Sequence, residues 1–191
     1  TQGVSSAASD VYKRQELEHS DDAVGNARIL EDRKSGALIK CIIIRCHETG
    51  SIFAHVVPCK GPDEDNFVVT LIVSAVAWLG HAKLLLKTDS EAAIVALAKR
   101  ALEAIKCTVE GIEAASAEQS HPYDSQSNGG TEVGIMNVRG LFRTLKLCLE
   151  KRLGQELPPA HPLTPWLLEH TAAMMNACVK GKEDNQKFIF G

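Results

Sequence analysis

Apolar and polar residues follow one another along the chain in patterns that predict an ordered series of strands. An isoleucine-rich run at 39–46 and a second apolar run at 51–57 are joined by Glu48-Thr49-Gly50, and together they predict an antiparallel hairpin that Pro58 closes. A short apolar run at 84–87 is typical of a strand buried on both faces. We expect a last strand at 109–114.

Two segments that separate these strands have apolar residues at helical spacing. A helix is predicted from Gly61-Pro62-Asp63 through Leu79, with Gly80 as its C-terminal cap. A second helix is predicted to start at Ser90, as its N-cap, and to run to about Ile105. Its apolar residues recur every three or four positions: Ile94, Leu97, Ala98, Ala101, Leu102 and Ile105.

In the last third of the chain, the residue pattern predicts a loop and two further helices. Residues 119–131 are polar and rich in Gly and Ser, so we expect irregular backbone there. A long helix is then predicted from Glu132 to about Gly154, and another at 163–178. A hairpin followed by alternating helices and strands is typical of an α/β layered fold.

Composition narrows the class of protein. The chain has 191 residues, enough for one domain with a core of its own, and its net charge of −3 neither indicates nor excludes nucleic-acid binding. The six cysteines contain no C-x-x-C pair and the histidines no metal-ligand spacing, which argues against a disulfide framework or a zinc module. No apolar run reaches the about 20 residues that span a bilayer, so we expect no membrane partner.

Two carboxylates stand in positions where they can converge on a metal. Asp89 closes the predicted strand at 84–87, and Glu132 opens the long helix directly after the loop. Taken alone, each has an ordinary explanation, since such residues often cap a strand or complement a helix dipole. A carboxylate at a strand end and another at a helix start can also hold a pair of divalent cations at a phosphodiester.

Several short motifs accompany these carboxylates in a fixed order. They are the hairpin 42–58, Lys60-Gly61, Trp78-Leu79-Gly80, the segment Leu85-Leu-Lys-Thr-Asp-Ser-Glu91, Ser125-Gln-Ser-Asn-Gly129, Phe142-Arg-Thr-Leu145, His161-Pro-Leu163 and Trp166. From about Ile39 to about Cys178 this order resembles the catalytic core of integrases of long-terminal-repeat retrotransposons, of the DDE superfamily. Asp89 and Glu132 resemble the second and third acidic residues of that family.

The resemblance implies a fold and an activity. The fold would be ribonuclease-H-like, with a mixed sheet flanked by helices. The activity would be 3′-end processing and strand transfer of DNA, with Asp89 and Glu132 as catalytic residues and as ligands of Mg²⁺ or Mn²⁺. Implied partners are the element ends and the target DNA, with a homo-oligomer as the working form and the nucleus as the place of action of the parent element.

Candidate DNA-binding residues lie on both sides of Glu132. Tyr123 and Asn128 belong to the loop, where the resemblance implies contact with the substrate. Arg139 and Arg143 follow Glu132 by seven and eleven residues, which places all three on one helix face within about 20°. Lys146 lies close to that stripe. A row of cations beside a metal site is well placed to hold DNA phosphates, and an ordinary solvated helix face is the alternative.

The first carboxylate of the family has no clear counterpart. The family places it on an opening strand in the middle of the sheet. We expect that strand to have been lost by truncation, with Asp32 as the alternative ligand. Residues 5–15 resemble a translated sequencing adapter, so residues 1–15 are expected to be an unpacked leader. Residues 16–38 would be an acidic loop, 39–179 the core, and 180–191 a linker to a missing region.

Two other functions stay open at this stage. A ribonuclease-H-like nuclease would share the metal chemistry but would only cut. A catalytically dead remnant would bind nucleic acid or oligomerise without either reaction.

Overall fold

A computed structural model describes residues 3–9, 39–119 and 125–178, with the backbone alone at residues 3–9 and 125–128. The strands are β1 (Gly3–Ser9), β2 (Lys40–Cys46), β3 (Ile52–Val57), β4 (Lys83–Thr88) and β5 (Ala114–Gln119). The helices are α1 (Phe67–Leu79), α2 (Ala92–Thr108), α3 (Ser125–Leu153) and α4 (Leu163–Cys178). In this described part, no helix combines the length and the apolar character that crossing a bilayer requires.

The five strands form one mixed sheet in the order β3-β2-β1-β4-β5. β2 pairs antiparallel with both β1 and β3, whereas β4 pairs parallel with both β1 and β5. Four strands therefore share one direction and β2 runs against them. The α1 and α2 helices provide the crossovers from β3 to β4 and from β4 to β5. The predicted α/β class is confirmed at this level.

The central strand comes from the part of the chain that was expected to be unpacked. β1 pairs with β2 from Val4↔Cys46 to Ser9↔Cys41, and with β4 from Gly3↔Leu85 to Ser6↔Thr88. The expectation that residues 1–15 make no contact with the core is therefore wrong for Gly3–Ser9. The reason is that a ladder is made by backbone groups, which Ser and Ala supply as well as other residues, and β2 and β4 each offer an edge that needs a partner.

Other expectations about the ends of the chain fall outside the described residues. They are the remainder of the leader, the acidic loop 16–38 with Asp32, and the linker 180–191.

The α1 and α2 helices cover the first face of the sheet with an apolar core. Ile42 and Ile44 of β2 and Leu84 and Leu86 of β4 point to this face, and all four are at most 3% exposed. From α2, the six residues at the predicted helical spacing are all buried, and five of them, from Leu97 onward, belong to this core. Five residues of α1 belong to it as well: Val68, Val69, Ile72, Ala75 and Val76. Each large aliphatic side chain buried in this way stabilises the fold by about 1.5–3 kcal/mol.

The α3 and α4 helices cover the second face. The alternate residues of β2, Cys41 and Ile43, point to this side together with Ile52 and Ala54 of β3. They pack against three buried residues from each helix: Ile135, Val138 and Phe142 of α3, and Leu167, Leu168 and Ala172 of α4. The second helical layer therefore packs on the β3-β2-β1 part of the sheet.

Hydrogen bonds to one carboxylate set the start of α1. Asp63 accepts hydrogen bonds from the backbone N–H groups of Phe67 (2.8 Å) and Val68 (3.0 Å), so the helix begins at Phe67 rather than at the predicted Gly61. Partial burial of the Asp63 carboxylate works against ionisation, yet these N–H groups and the charge of Arg100 together hold its pKa below the ordinary value. At the other end, Gly80 has φ 65° and caps the helix as predicted.

Three other boundaries were predicted wrongly. The N-cap of α2 is Glu91 rather than Ser90, and it makes no side-chain capping bond. The last strand is Ala114–Gln119 rather than 109–114, because Lys83 to Thr88 pair with these residues through backbone groups alone. The α3 helix already includes residues 125–131, which were expected to be irregular; α4 matches its prediction at both ends.

Candidate metal and nucleic-acid site

Asp89 directly follows β4, at the end of the strand. Residues of a strand alternate between its two faces. Since Leu84, Leu86 and Thr88 are buried on the first-face side, this alternation assigns Lys87 and Asp89 to the second face. The side chain is exposed, and its Oδ1 accepts a 2.8 Å hydrogen bond from the backbone N–H of Ser90. An exposed carboxylate at a strand end can accept a metal ion without first leaving a buried partner.

Glu132 lies two turns into α3, on the flank of the helix. Its neighbour Thr131 is buried against the sheet, whereas Glu132 is half-buried and Val133 is exposed. Because residues 125–131 are helical, Glu132 is not at the first turn of the helix as predicted, but inside it.

The packing of α3 shows which way this flank faces. A Cβ added at Gly134 would lie 3.5 Å from Ile52 Cδ1 of β3, so Gly134 faces the β3 side of the sheet. With 100° per residue, Glu132 projects about 160° away from Gly134 around the helix. It therefore points away from β3, toward the side on which β1 and β4 follow in the sheet. Alternation thus assigns Asp89 to the face on which α3 packs, and a bridging distance between its carboxylate and that of Glu132 stays a prediction.

The position beside Asp89 on the central strand is occupied by Ala7. The last parallel pair is Ser6 with Thr88, and Ala7 and Asp89 are the next residues along the two chains. Ala7 also pairs with Ile43, which belongs to the second face. An alanine thus stands where a carboxylate on the opening strand would adjoin Asp89. The described residues contain no group of three or more His, Cys, Asp or Glu arranged to hold a metal ion.

The predicted basic row lies on the same flank of α3 as Glu132. Arg139 and Arg143 are half-buried rather than fully solvated. The Nη2 atom of Arg143 is buried and has no hydrogen-bond partner within the described part of the chain. Lys146 instead forms a 2.6 Å ion pair with Glu150. Lys146 therefore already has a carboxylate partner, whereas the guanidinium of Arg143 retains an N–H donor at Nη2 that makes no hydrogen bond within the described part.

The loop candidates lie at the limit of the described structure. Tyr123 falls outside it, and Asn128 is placed in α3 by its backbone alone. Their predicted contact with DNA stays a prediction.

One charged residue near Glu132 was not predicted. Arg45 of β2 lies on the second face and contacts α3 at Gly130 and Gly134, which flank Glu132 in sequence. Two signals were present in the sequence: an arginine within an apolar strand, and two glycines spaced by four in a helix. Neither signal identifies the other residue as its partner, because the contact joins segments about 90 residues apart in the chain.

Comparison with known proteins gives no assignment by similarity: neither a family model nor a curated protein matches this chain. The function therefore has to be argued from the residues and their placement.

Proposed function

We propose that this chain is the catalytic core of a DDE-type integrase, which processes DNA 3′-ends and transfers them to target DNA. The observation that carries the proposal is the placement of Asp89 and Glu132. They come from a strand end and a helix flank 43 positions apart in the sequence. Strand alternation assigns Asp89 to the second face, and the helix that carries Glu132 packs on that face.

The fold supports the same proposal. A ribonuclease-H-like core is a mixed sheet with helices on both faces, and this chain has a mixed five-stranded sheet with helices packed on both faces. A fold alone does not define a function, so the argument depends on the carboxylates and on their neighbours.

The oxygen donors fit magnesium or manganese. Mg²⁺ binds through one or two carboxylates together with water and substrate phosphates, and Asp89 and Glu132 would be those carboxylates. Bound there, such a metal would supply activation of the attacking oxygen and stabilisation of the leaving oxygen. The remaining task of the protein is to hold the diester in place, which we assign to Arg139 and Arg143 on the flank of α3, with Tyr123, Asn128 and Lys146 as further contacts.

The partners follow from this activity. Element ends and target DNA would both bind beside the exposed Asp89 and the Glu132 flank of α3, and a homo-oligomer would hold two ends together. The parent element would act in the nucleus.

The central strand provides the sharpest test. Asp32 lies outside the described residues, and within the described part Ala7 is the central-strand residue next to Asp89, so we expect the chain to be inactive in strand transfer with Mg²⁺ or Mn²⁺. Ala7→Asp would place a carboxylate beside Asp89 and is expected to produce joining of a DNA 3′-end to target DNA. Ala7→Asn is the matched control, because it has the same shape without the charge.

Second-site changes make this test specific. In the Ala7→Asp background, Asp89→Asn or Glu132→Gln should abolish joining while folding survives, since each amide keeps the side-chain shape. Joining that persists without Asp89 would refute the proposal. Cutting without joining would favour the nuclease, and DNA binding without either reaction would favour a remnant that only binds.

A further inference from the structure

Arg45 fills a space on α3 that two glycines leave. Its guanidinium lies so close to the helix that a Cβ added at Gly130 would be 2.5 Å from Nη1. A Cβ added at Gly134 would be 3.0 Å from Cδ of the same side chain. Any side chain at Gly130 would therefore displace the guanidinium. The head of the arginine thus lies at Gly130 and its stem at Gly134, in the space where side chains of one helical segment would stand.

Shape rather than charge governs this contact. Among residues 39–119 and 129–178, no hydrogen bond or ion pair joins the Arg45 guanidinium to a carboxylate. Lysines elsewhere do pair with glutamates, as Lys60 with Glu91 and Lys87 with Glu118. A half-buried arginine that is not held by an ion pair and rests on a helix backbone is placed to fix where that helix lies.

Glu132 is carried by this same segment. It lies two residues from Gly130 and two from Gly134, and it projects about 160° around the helix from each of them. Arg45 thus contacts α3 on one flank while Glu132 leaves from the opposite flank. A rotation or shift of α3 at this turn would move the carboxylate with it.

The start of α3 needs such support from outside. Glycine in a helix interior costs about 1 kcal/mol relative to alanine, and Gly129, Gly130 and Gly134 all fall in this part of α3. Most helical stability in proteins comes from packing rather than from propensity. The contact with Arg45 is packing of this kind, placed at the turn where the helix is intrinsically weakest.

We propose that Arg45 is a positioning residue for Glu132: by filling the Gly130–Gly134 surface, it fixes the rotation and height of α3 and hence the place of the carboxylate. The proposal rests on the metal-binding role of Glu132 proposed above. It adds a residue that touches neither metal nor DNA and acts through the helix.

Two neighbouring glycines supply a matched pair of variants. Gly129→Ala and Gly130→Ala raise helix propensity equally, but a Cβ at Gly129 meets nothing within 4 Å, whereas one at Gly130 meets Arg45. In the full chain, Mn²⁺ affinity would be measured by electron paramagnetic resonance. We expect Gly130→Ala to weaken it on the order of tenfold, as for other residues that orient a metal ligand, and Gly129→Ala to leave it unchanged.

Variants of the arginine test whether the contact is the cause. Arg45→Met keeps much of the stem and removes the guanidinium, and it should also weaken Mn²⁺ binding. Combined with Gly130→Ala, the two losses should not add, because both remove the same contact. Hydrogen exchange of the amides of residues 129–136 should accelerate in both single variants, and this readout does not depend on any metal.

The outcomes separate this proposal from the proposed function. Mn²⁺ binding that is insensitive to Asp89→Asn and Glu132→Gln would refute the metal site itself. Binding that needs both carboxylates but is equal in Gly129→Ala and Gly130→Ala would overturn the role of Arg45 alone. Faster exchange in Gly130→Ala with unchanged Mn²⁺ affinity would also overturn it, because Arg45 would then be purely structural.

Discussion

The two faces of the sheet are built from the same strands but differ in what they contain. On the first face, Ile42, Ile44, Leu84 and Leu86 meet two helices whose inward side is wholly aliphatic. On the second face, the same strands present Arg45 and Lys87 beside Cys41 and Ile43. The helix above them, α3, contains four glycines, whereas α2 contains none.

The two faces therefore differ in how much free energy their burial contributes to folding. A face filled with aliphatic side chains gains free energy from burial and needs no partner for a polar group. A face with half-buried cations and a glycine-rich helix gives up part of that gain, and natural proteins tolerate such departures mainly at functional sites. The proposed carboxylates, the basic row and Arg45 all lie on the second side.

Leucine truncations in the two cores test whether both faces share one folding unit. Leu97→Ala on the first face and Leu168→Ala on the second remove side chains that are 1% and 2% exposed. Each should lower the free energy of unfolding by about 2–5 kcal/mol, from lost burial and a cavity. Urea denaturation followed by circular dichroism would measure both.

The control is Leu147→Ala, at a position that is 65% exposed, where we expect a change within about 0.5 kcal/mol. If Leu168→Ala left the stability of the first face untouched and produced a second, separate transition, the two layers would not be one cooperative unit.

At the open edge of the sheet, a side-chain amide forms hydrogen bonds with the backbone of the edge strand β3. Asn176 of α4 donates from Nδ2 to the carbonyl of Ile52 and accepts at Oδ1 from its N–H, both at 2.8 Å. It thereby pairs with edge strand β3 as a neighbouring strand would. Asn176→Ala should cost about 1–3 kcal/mol and speed amide exchange at Ile52. Exposed Asn137→Ala is the control, and equal losses in both variants would show that the amide is not what holds the edge.

The parts of the fold that were predicted correctly are those whose own side chains define their environment. The six buried residues of α2 are the six at helical spacing, and the Gly80 cap follows from the preference of glycine for positive φ. Leu163–Cys178 was also predicted in full. In each case burial follows a local pattern that the sequence displays.

The parts that were missed are specified by partners instead. β1 and β5 consist largely of Ala, Ser and Gly or polar residues, and their pairing comes from neighbouring strands. The sequence around Gly129 and Gly130 predicts a loop, although the helix continues through them. For the proposed site, Asp89 and Glu132 could be named from the sequence because their motifs are local. Arg45 and the place of Ala7 were not, because both depend on strand register.

Gly140 offers a way to strengthen the weaker helix. It is exposed in the middle of α3, and a Cβ there would meet nothing within 4 Å. Gly140→Ala should therefore raise the free energy of unfolding by about 0.4–1 kcal/mol, chiefly by restricting the unfolded chain. The matched change Gly80→Ala should have the opposite sign, because Gly80 has φ 65°. Thermal unfolding of both variants measures this, and a destabilised Gly140→Ala would reveal a contact on that side of α3.

The smallest expected effect concerns the end of α3. Glu150 accepts hydrogen bonds at Oε1 from Lys146 (2.6 Å) and from the backbone N–H of Leu157 (2.7 Å), and these bonds, with Lys146 first, lower the pKa of its carboxyl. A lowered pKa means that the ionised form stabilises the fold. This contribution is present above the ordinary value of 4.5 and is lost as the pH falls below it, through the folded-state pKa. Glu150→Gln should therefore cost about 0.5 kcal/mol at pH 7, and the difference from the wild type should shrink below about pH 4.5. Urea titrations at several pH values would measure it, with exposed Glu156→Gln as the control. A difference that grew toward acid would mean that the protonated carboxyl, rather than its charge, holds Leu157.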